Sequence, residues 1–258
     1  MSSHKSPITE FPGRAKAVIE PSEILARKKR IPERCVLCYF AEVIESLVKE
    51  KTLVEIGKLH GEGDPVRIYR MGTGKHPTAV CFPGIGAPFA AATLEELIAL
   101  GANRFVVCGG AGVLDGSIPA GKTIVPTWAL RDEGTSYHYL QPSRTCRPHK
   151  KALDAIGKAC INSNVDFMEG GTWTTDGVYR ETRGAIRRRR AEGCLTVEME
   201  AAALFAVARF RRVYLGQVLY AGDDVSGPEW NHRSWNNLHQ TRRKLFDLSL
   251  DAVKIMEE

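Results

Sequence analysis

The chain has 258 residues, 43% hydrophobic and 26% charged, with a formal net charge of +6 at pH 7. That balance excludes a disordered or fibrous protein, and no apolar run reaches the length of a membrane span. The N-terminal stretch MSSHKSPITEFPGR lacks the apolar core of a secretory signal, so a cytoplasmic protein is expected.

Residues 1–14 are polar, carry Pro7 and Pro12, and read as an N-terminal arm; residues 15–258 read as one α/β domain. Residues 15–19 (AKAVI) are expected as a short strand stopped by Glu20-Pro21-Ser22, with Ser22 placed to cap a short helix through Arg30. Cys35 and Cys38 have CxxC spacing. They lie in an apolar segment without a second CxxC or a Cys/His pair, so no metal site is expected there. The seven cysteines are odd in number and scattered, which suits reduced, buried thiols.

Residues 53–59 and 66–71 alternate like paired strands around a Gly/Asp/Pro turn. Residues 78–82 read as a buried strand, Pro83-Gly84-Ile85-Gly86 as a tight turn, and 87–100 as a helix ended by Gly101. Strands follow at 105–108 and 123–126, separated by the glycine-rich stretch Gly109-Gly110-Ala111-Gly112. The second half alternates helix and extended chain at 148–162, 165–172, 181–192, 198–210 and 213–220, and closes with a helix over 232–258. The alternation without a linker or internal repeat predicts a single α/β domain.

Residues 196–210 (TVEMEAAALFAVARF) stand out because Ala201 to Ala208 carry no charge and predict a helix buried within the domain. Glu198 and Glu200 at its start either stabilise the helix N-terminus or face a pocket and accept hydrogen bonds from a hydroxylated ligand. In open α/β sheets ligands bind beyond the carboxyl ends of strands. Three further candidates lie at such ends: the Gly84-Ile85-Gly86 turn, the glycines Gly109 and Gly110, and the acids of Gly222-Asp223-Asp224. Together these residues suit a sugar-and-base site, with one carboxylate for vicinal hydroxyls and a second acid to protonate a leaving heterocycle. Two basic runs, residues 27–30 and 187–190, are short and lack interleaved aromatics, so they read as solvated faces and no nucleic-acid partner is expected.

Residues 81–89 (CFPGIGAPF), 94–97 (LEEL), 109–113 (GGAGV), 118–125 (IPAGKTIV), 132–138 (DEGTSYH) and 197–203 (VEMEAAA) together resemble the nucleoside phosphorylase/nucleosidase superfamily, uridine phosphorylases especially. The resemblance implies an α/β fold whose mixed central β-sheet forms a distorted barrel flanked by helices, assembled as a homo-oligomer (dimer, trimer or hexamer). It implies that Glu200 binds the ribosyl hydroxyls, that Met199 lies under the sugar, and that Glu198 is near the base. Asp224 would match the acid that protonates a purine N7; uridine phosphorylases lack it, which tilts the reading toward purines. Asp176, Tyr179 and Arg180 fall in the segment that covers the base, and His4 matches a histidine that reaches a neighbour's 5′-hydroxyl.

The family's phosphorylases hold phosphate with a Gly-Asp-Pro turn after the first strand and an arginine before the glycine-rich loop. Here Glu20-Pro21-Ser22, Val107 or Cys108, and Gly110 stand at those places, and a glutamate repels a phosphate dianion. Nucleosidases of the family instead carry a water-activating glutamate after the first strand. Hydrolysis with Glu20 (or Glu23) as general base is therefore expected, with no cofactor. Phosphorolysis remains the alternative, with inorganic phosphate as co-substrate held by Arg180, Arg183 or Arg27, as does a nucleoside-binding relative without catalysis. The run at 187–190 raises a 5′-phosphate as a further substrate group.

Overall fold

The computed structural model describes residues 6–73 and 76–256. In chain order these form α1 (Pro21–Ile24), β1 (Arg34–Cys38), α2 (Ala41–Lys49), β2 (Leu53–Leu59), β3 (Val66–Met71), β4 (Thr78–Cys81), α3 (Ala87–Ala99), β5 (Arg104–Val113) and β6 (Thr123–Asp132). There follow β7 (Thr145–Cys146), α4 (Lys150–Asn162), β8 (Phe167–Thr175), α5 (Arg183–Ala191), β9 (Cys194–Glu198), α6 (Ala201–Arg211), β10 (Tyr214–Asp224) and α7 (His239–Ile255).

All the strands join one mixed sheet in the order β10-β6-β8-β9-β5-β1-β4-β3-β2, with β7 paired to β6. A further pairing of β5 with β10 closes five strands, β10-β6-β8-β9-β5, into a barrel, while β1, β4, β3 and β2 extend from it as an open wing. The distorted barrel implied by the resemblance is thus present. Its long strands β5 and β10 run parallel from Arg104/Tyr214 to Val113/Asp224, with a register shift after Ala221. Bulges of this kind re-aim side chains at strand ends.

Helices cover both faces. On one side α3 and α6 pack with Leu37, Phe105, Val107 and Leu215; on the other α2, α4 and α7 pack with Val36, Val106, Cys108 and Val218. Every residue of α6 from Ala201 to Ala208 is buried, as the uncharged run predicted. Cys35 belongs to the first of these clusters and Cys38 to the second, so the CxxC thiols face opposite sides of the sheet. All seven cysteines are free and buried.

Three expectations are corrected. Residues 15–19 form no strand, because nothing covers them: Val18 is fully exposed and Ile19 is 69% exposed. The first strand is β1, a central parallel strand buried along its whole length, whose continuous apolar run carries no alternation to betray it. Ser22 caps no helix through Arg30, since α1 ends at Ile24 with Glu20 at its N-cap position. Lastly, Glu198 is the last residue of β9 rather than the start of a helix, and α6 begins only at Ala201.

Candidate active site

The carboxyl ends of β1, β5 and β10 and the N-terminus of α6 converge on a cavity of about 360 Å³. Its wall includes Tyr39, Gly109, Gly110, Met199, Glu200 and Asp223, together with Glu181, Glu198, Gln217 and Arg242. Glycine is needed at the β5 end of this wall. A Cβ on Gly110 would lie 2.8 Å from Cζ of Tyr220, whose ring occupies the space a side chain would take.

Glu198 and Glu200 divide the work at the start of α6. The Glu198 carboxylate accepts from the backbone N–H of Glu200 (2.8 Å) and Ala201 (2.6 Å) and from the Thr174 hydroxyl (2.6 Å), so it caps the helix from within. Burial pushes its pKa up, and those three donors pull the other way. Glu200 is 7% exposed and accepts one hydrogen bond, from the Gly86 N–H at 2.7 Å. That bond explains the Gly-Ile-Gly turn: Gly86 has φ +92°, and its amide meets this carboxyl rather than a bound anion. Burial, reinforced by the Glu198 charge, raises Glu200 to about 8, against the pull of the Gly86 and Met199 amides. A carboxyl that costs so much to ionise, with one oxygen free, is primed to bind hydroxyl groups.

The acid pair after β10 is divided the same way, but the expected member is the wrong one. Asp224 points out of the cavity. It accepts from the Ser226 amide (2.8 Å) and hydroxyl (2.6 Å) and pairs with Arg233 at 2.8 Å. Burial alone would raise its pKa, but the Ser226 bonds and Arg233 hold it below the usual carboxylate range. Asp223 lines the cavity instead and accepts from the Trp230 indole N–H at 2.6 Å. Adjacent residues on a strand face opposite sides, so an offset of one position decides which acid meets a ligand.

Of the segment expected over the base, Asp176, Tyr179 and Arg180 all lie outside the cavity wall. Asp176 accepts from the Gly134 amide at 2.8 Å, and Tyr179 is 96% exposed. The single 3-10 turn at Val178–Arg180 directs Val178 and Glu181 inward. Glu181 was not singled out by sequence reading, although it directly follows Arg180 within the same segment. Its carboxyl makes no hydrogen bond or ion pair among the described residues, and burial together with the Asp223 charge raises it to about 7. Met199, Gly109 and Gly110 are in the wall as expected, and His4 lies outside the described residues.

Glu20 is not near this cavity. Its carboxylate pairs with Arg211 at 3.2 Å, beside Glu95, at the far ends of α3 and α6, and Glu23 pairs with Lys16 on the surface. The reason is the misplaced first strand. The chain leaving the true β1 reads Tyr39-Phe40-Ala41-Glu42, and Glu42 in the first turn of α2 pairs with Arg242 at 2.5 Å. Arg242 is the arginine in the cavity wall, and it is committed: Nε donates to the Tyr220 hydroxyl at 3.0 Å, and Nη2 donates to the Trp235 carbonyl at 3.3 Å. Its guanidinium lies within 6 Å of the Phe40, Tyr220 and Trp235 rings.

None of the arginines considered as phosphate ligands enters the wall. Arg183 donates to the Pro228 carbonyl, and Arg27 and Arg180 are exposed. In the run at 187–190, Arg189 pairs with Asp132 and Glu192, and Arg190 with Asp115, so the second half of the run is spent on surface ion pairs. Among the described residues no group of three or more His, Cys, Asp or Glu is arranged to hold a metal, and no helix is long and apolar enough to cross a membrane.

Comparison with known proteins shows the family and the fold. Over 139 residues the chain is 32% identical to a guanosine phosphorylase of Halorubrum lacusprofundi, covering 54% of this chain and 58% of that one. Over 154 residues it is 34% identical to a uridine phosphorylase of Treponema pallidum, covering 55% and 60%. The alignments thus span about three-fifths of those relatives. The fold superposes on an AMP nucleosidase of Bacteroides thetaiotaomicron with a TM-score of 0.71 at 21% identity, covering 88% and 89% of the two chains. A uridine phosphorylase of Vibrio fischeri gives 0.71 at 22%, covering 88% and 91%. The sequence model of the phosphorylase superfamily matches residues 33–252, and this chain belongs to that superfamily.

Proposed function

We propose that the protein cleaves the N-glycosidic bond of a nucleoside, a purine nucleoside by preference, and that water is the acceptor. The observation that carries the proposal is one cavity lined by both Glu200 and Asp223. Glu200 holds the ribosyl hydroxyls over Met199. Asp223, taking the place first expected of Asp224, delivers a proton to the departing base as the sugar gains oxocarbenium character. Glu181, unpaired and beside Asp223, faces the base as a second acid. A binding protein without catalysis has no use for that acidic end.

Hydrolysis is favoured by the β5 end of the cavity. A phosphate dianion needs convergent cations or donors. Val107 and Cys108 are buried in the sheet, Tyr220 fills the space above Gly110, and Arg242 is engaged by Glu42, Tyr220 and Trp235. The nucleosidase-like glutamate after the first strand now falls on Glu42, which acts on the cavity through Arg242. Phosphorolysis is the second reading, favoured by the phosphorylase names of the relatives. Incubating the protein with a nucleoside and nucleotide panel, with and without phosphate, and measuring released base tests both. Base release without phosphate is expected; strict phosphate dependence overturns hydrolysis.

We further propose that the protein is a cytoplasmic homo-oligomer that needs no cofactor. Ile85 and Val178 line the cavity yet are 69% and 47% exposed, so the mouth presents apolar side chains that a second copy would cover. Light scattering of the purified protein reads the oligomeric state directly.

A further inference from the structure

Two polar groups in the cavity wall have no partner. The Gln217 side chain is buried to 1% exposure, and its Oε1 accepts nothing; neither end of the amide makes a hydrogen bond among the described residues. The Tyr39 hydroxyl is likewise buried and unpaired. Both residues line the cavity. Buried polar atoms are nearly always satisfied, and leaving one unmade costs more than a made hydrogen bond returns. Two orphans in one wall point to a ligand.

The sheet places them on one face. Gln217 on β10 pairs in register with Val107 on β5, and Leu219 with Gly109, while the Tyr39 amide donates to the Cys108 carbonyl from the other side of β5. A Cβ on Gly109 would lie 3.5 Å from the Tyr39 ring and 3.6 Å from Leu219, so those two side chains flank Gly109 on one face. Gln217, two residues before Leu219, shares that face. It is the face that packs against α6, and the Glu200 and Glu198 charges bear on the Tyr39 hydroxyl, which burial chiefly and those charges in addition push well above its usual range. Glu200 Oε1 takes the Gly86 amide, and the residue lines the cavity.

We propose that Tyr39, Gln217 and the free oxygen of Glu200 seat the water molecule that attacks the sugar. The inference rests on the hydrolytic reading above. A buried water needs two to four polar partners, and these residues supply three, with both donors and acceptors. Neither Tyr39 nor Gln217 brings positive charge, so the seat suits a neutral molecule and offers an anion no counter-charge. In the reaction the water oxygen bonds to C1′ as the C1′–N bond breaks. The bond pair leaves with the base, which takes a proton from Asp223. The new hydroxyl sheds its surplus proton to solvent, and a proton from solvent restores Asp223, so the count balances. Tyr39 and Gln217 hold the nucleophile in line and are not themselves consumed.

The test compares wild type with Gln217→Leu and Tyr39→Phe. Base-release kinetics are measured in water and in water with added methanol, together with thermal melting and substrate affinity by quenching of tryptophan fluorescence. Losing the seat is expected to lower kcat roughly ten- to hundredfold while affinity stays within about threefold. The ratio of methyl riboside to free ribose should rise, because water no longer holds a positional advantage. Gln217→Leu should also melt at a higher temperature than wild type, since it removes an unpaired buried amide. Unchanged kcat and methanol partitioning in both variants overturns the proposal. So does a Gln217→Leu protein that loses stability along with activity, which would mark a structural role. Should Gln217→Leu not fold, Tyr39→Phe decides alone by the same kcat and partitioning readouts. Strict phosphate dependence of the wild type would instead sink the hydrolytic reading, and is recognised before any variant is compared.

Discussion

Two short acidic motifs frame the cavity, Glu198-Met199-Glu200 between β9 and α6 and Asp223-Asp224 at the end of β10. Each spends one acid on structure and leaves the other with hydrogen-bonding capacity in the cavity wall. Glu198 is consumed by two backbone amides and a threonine hydroxyl, and Asp224 by Ser226 and Arg233. Glu200 and Asp223 each take a single neutral donor, Gly86 N–H in one case and the Trp230 indole in the other. The motifs differ in how they separate their acids. The first pair is split by a change from strand to helix, the second by side-chain alternation within a strand. An acid's neighbours in sequence say little about its task; its remaining hydrogen-bond capacity says a great deal.

The comparison is broken most forcefully at Glu200. On the proposed reading Glu200→Ala removes the grip on the sugar hydroxyls, and it is expected to lower kcat/KM by roughly 10²- to 10⁴-fold, the cost of leaving two buried hydroxyls without a partner. Next comes the paired substitution after β10. Asp223→Asn should cost roughly 10²-fold or more in kcat if it removes the proton donor, with little change in melting temperature. Asp224→Asn should do the reverse, destabilising the fold by about 1–3 kcal/mol while kcat stays within a few-fold. Equal kinetic damage from both would erase the division drawn here.

A smaller effect is expected at Glu198. Glu198→Gln keeps its size but loses the charge that faces two helix amides, and denaturant unfolding should show a loss of about 1–2 kcal/mol. The pH dependence sharpens the same contrast. Glu200 is raised to about 8 in the folded protein, whereas an unfolded glutamate titrates near ~4.3. The folded state therefore binds the extra proton, and the stability it contributes is complete below pH ~4.3 and lost as pH rises through about 8. Melting temperature should fall across that window in wild type and fall less in Glu200→Gln. An unaltered slope in the variant assigns the effect to other groups.

Much of the fold was legible. Strands β2 and β3 were read to the residue because they form an alternating hairpin bounded by turn residues, and α6 was read from an uncharged run that only a buried helix tolerates. The failures cluster where burial is complete on both faces. Strand β1 has no alternation, so its apolar residues were taken for a CxxC segment, and the exposed residues 15–19 were read as the first strand in its stead. That slip carried Glu20 into the site and kept Tyr39 out of it. Gln217 was invisible for a similar reason, as a single amide inside an apolar strand.

The sequence by itself determined the family, the α/β order, the buried helix behind Glu200 and the lack of an arginine ahead of Gly109, because these depend on residue type and local periodicity. Which of Asp223 and Asp224 faces the cavity, the capture of Glu20 by Arg211, and the placing of Tyr39 and Gln217 in one cavity wall were decided only by tertiary structure. The Glu20 pair depends on where the N-terminal segment packs against α3 and α6; the others depend on strand register and side-chain direction, where one residue's offset or one bulge turns a group from solvent or core toward the cavity.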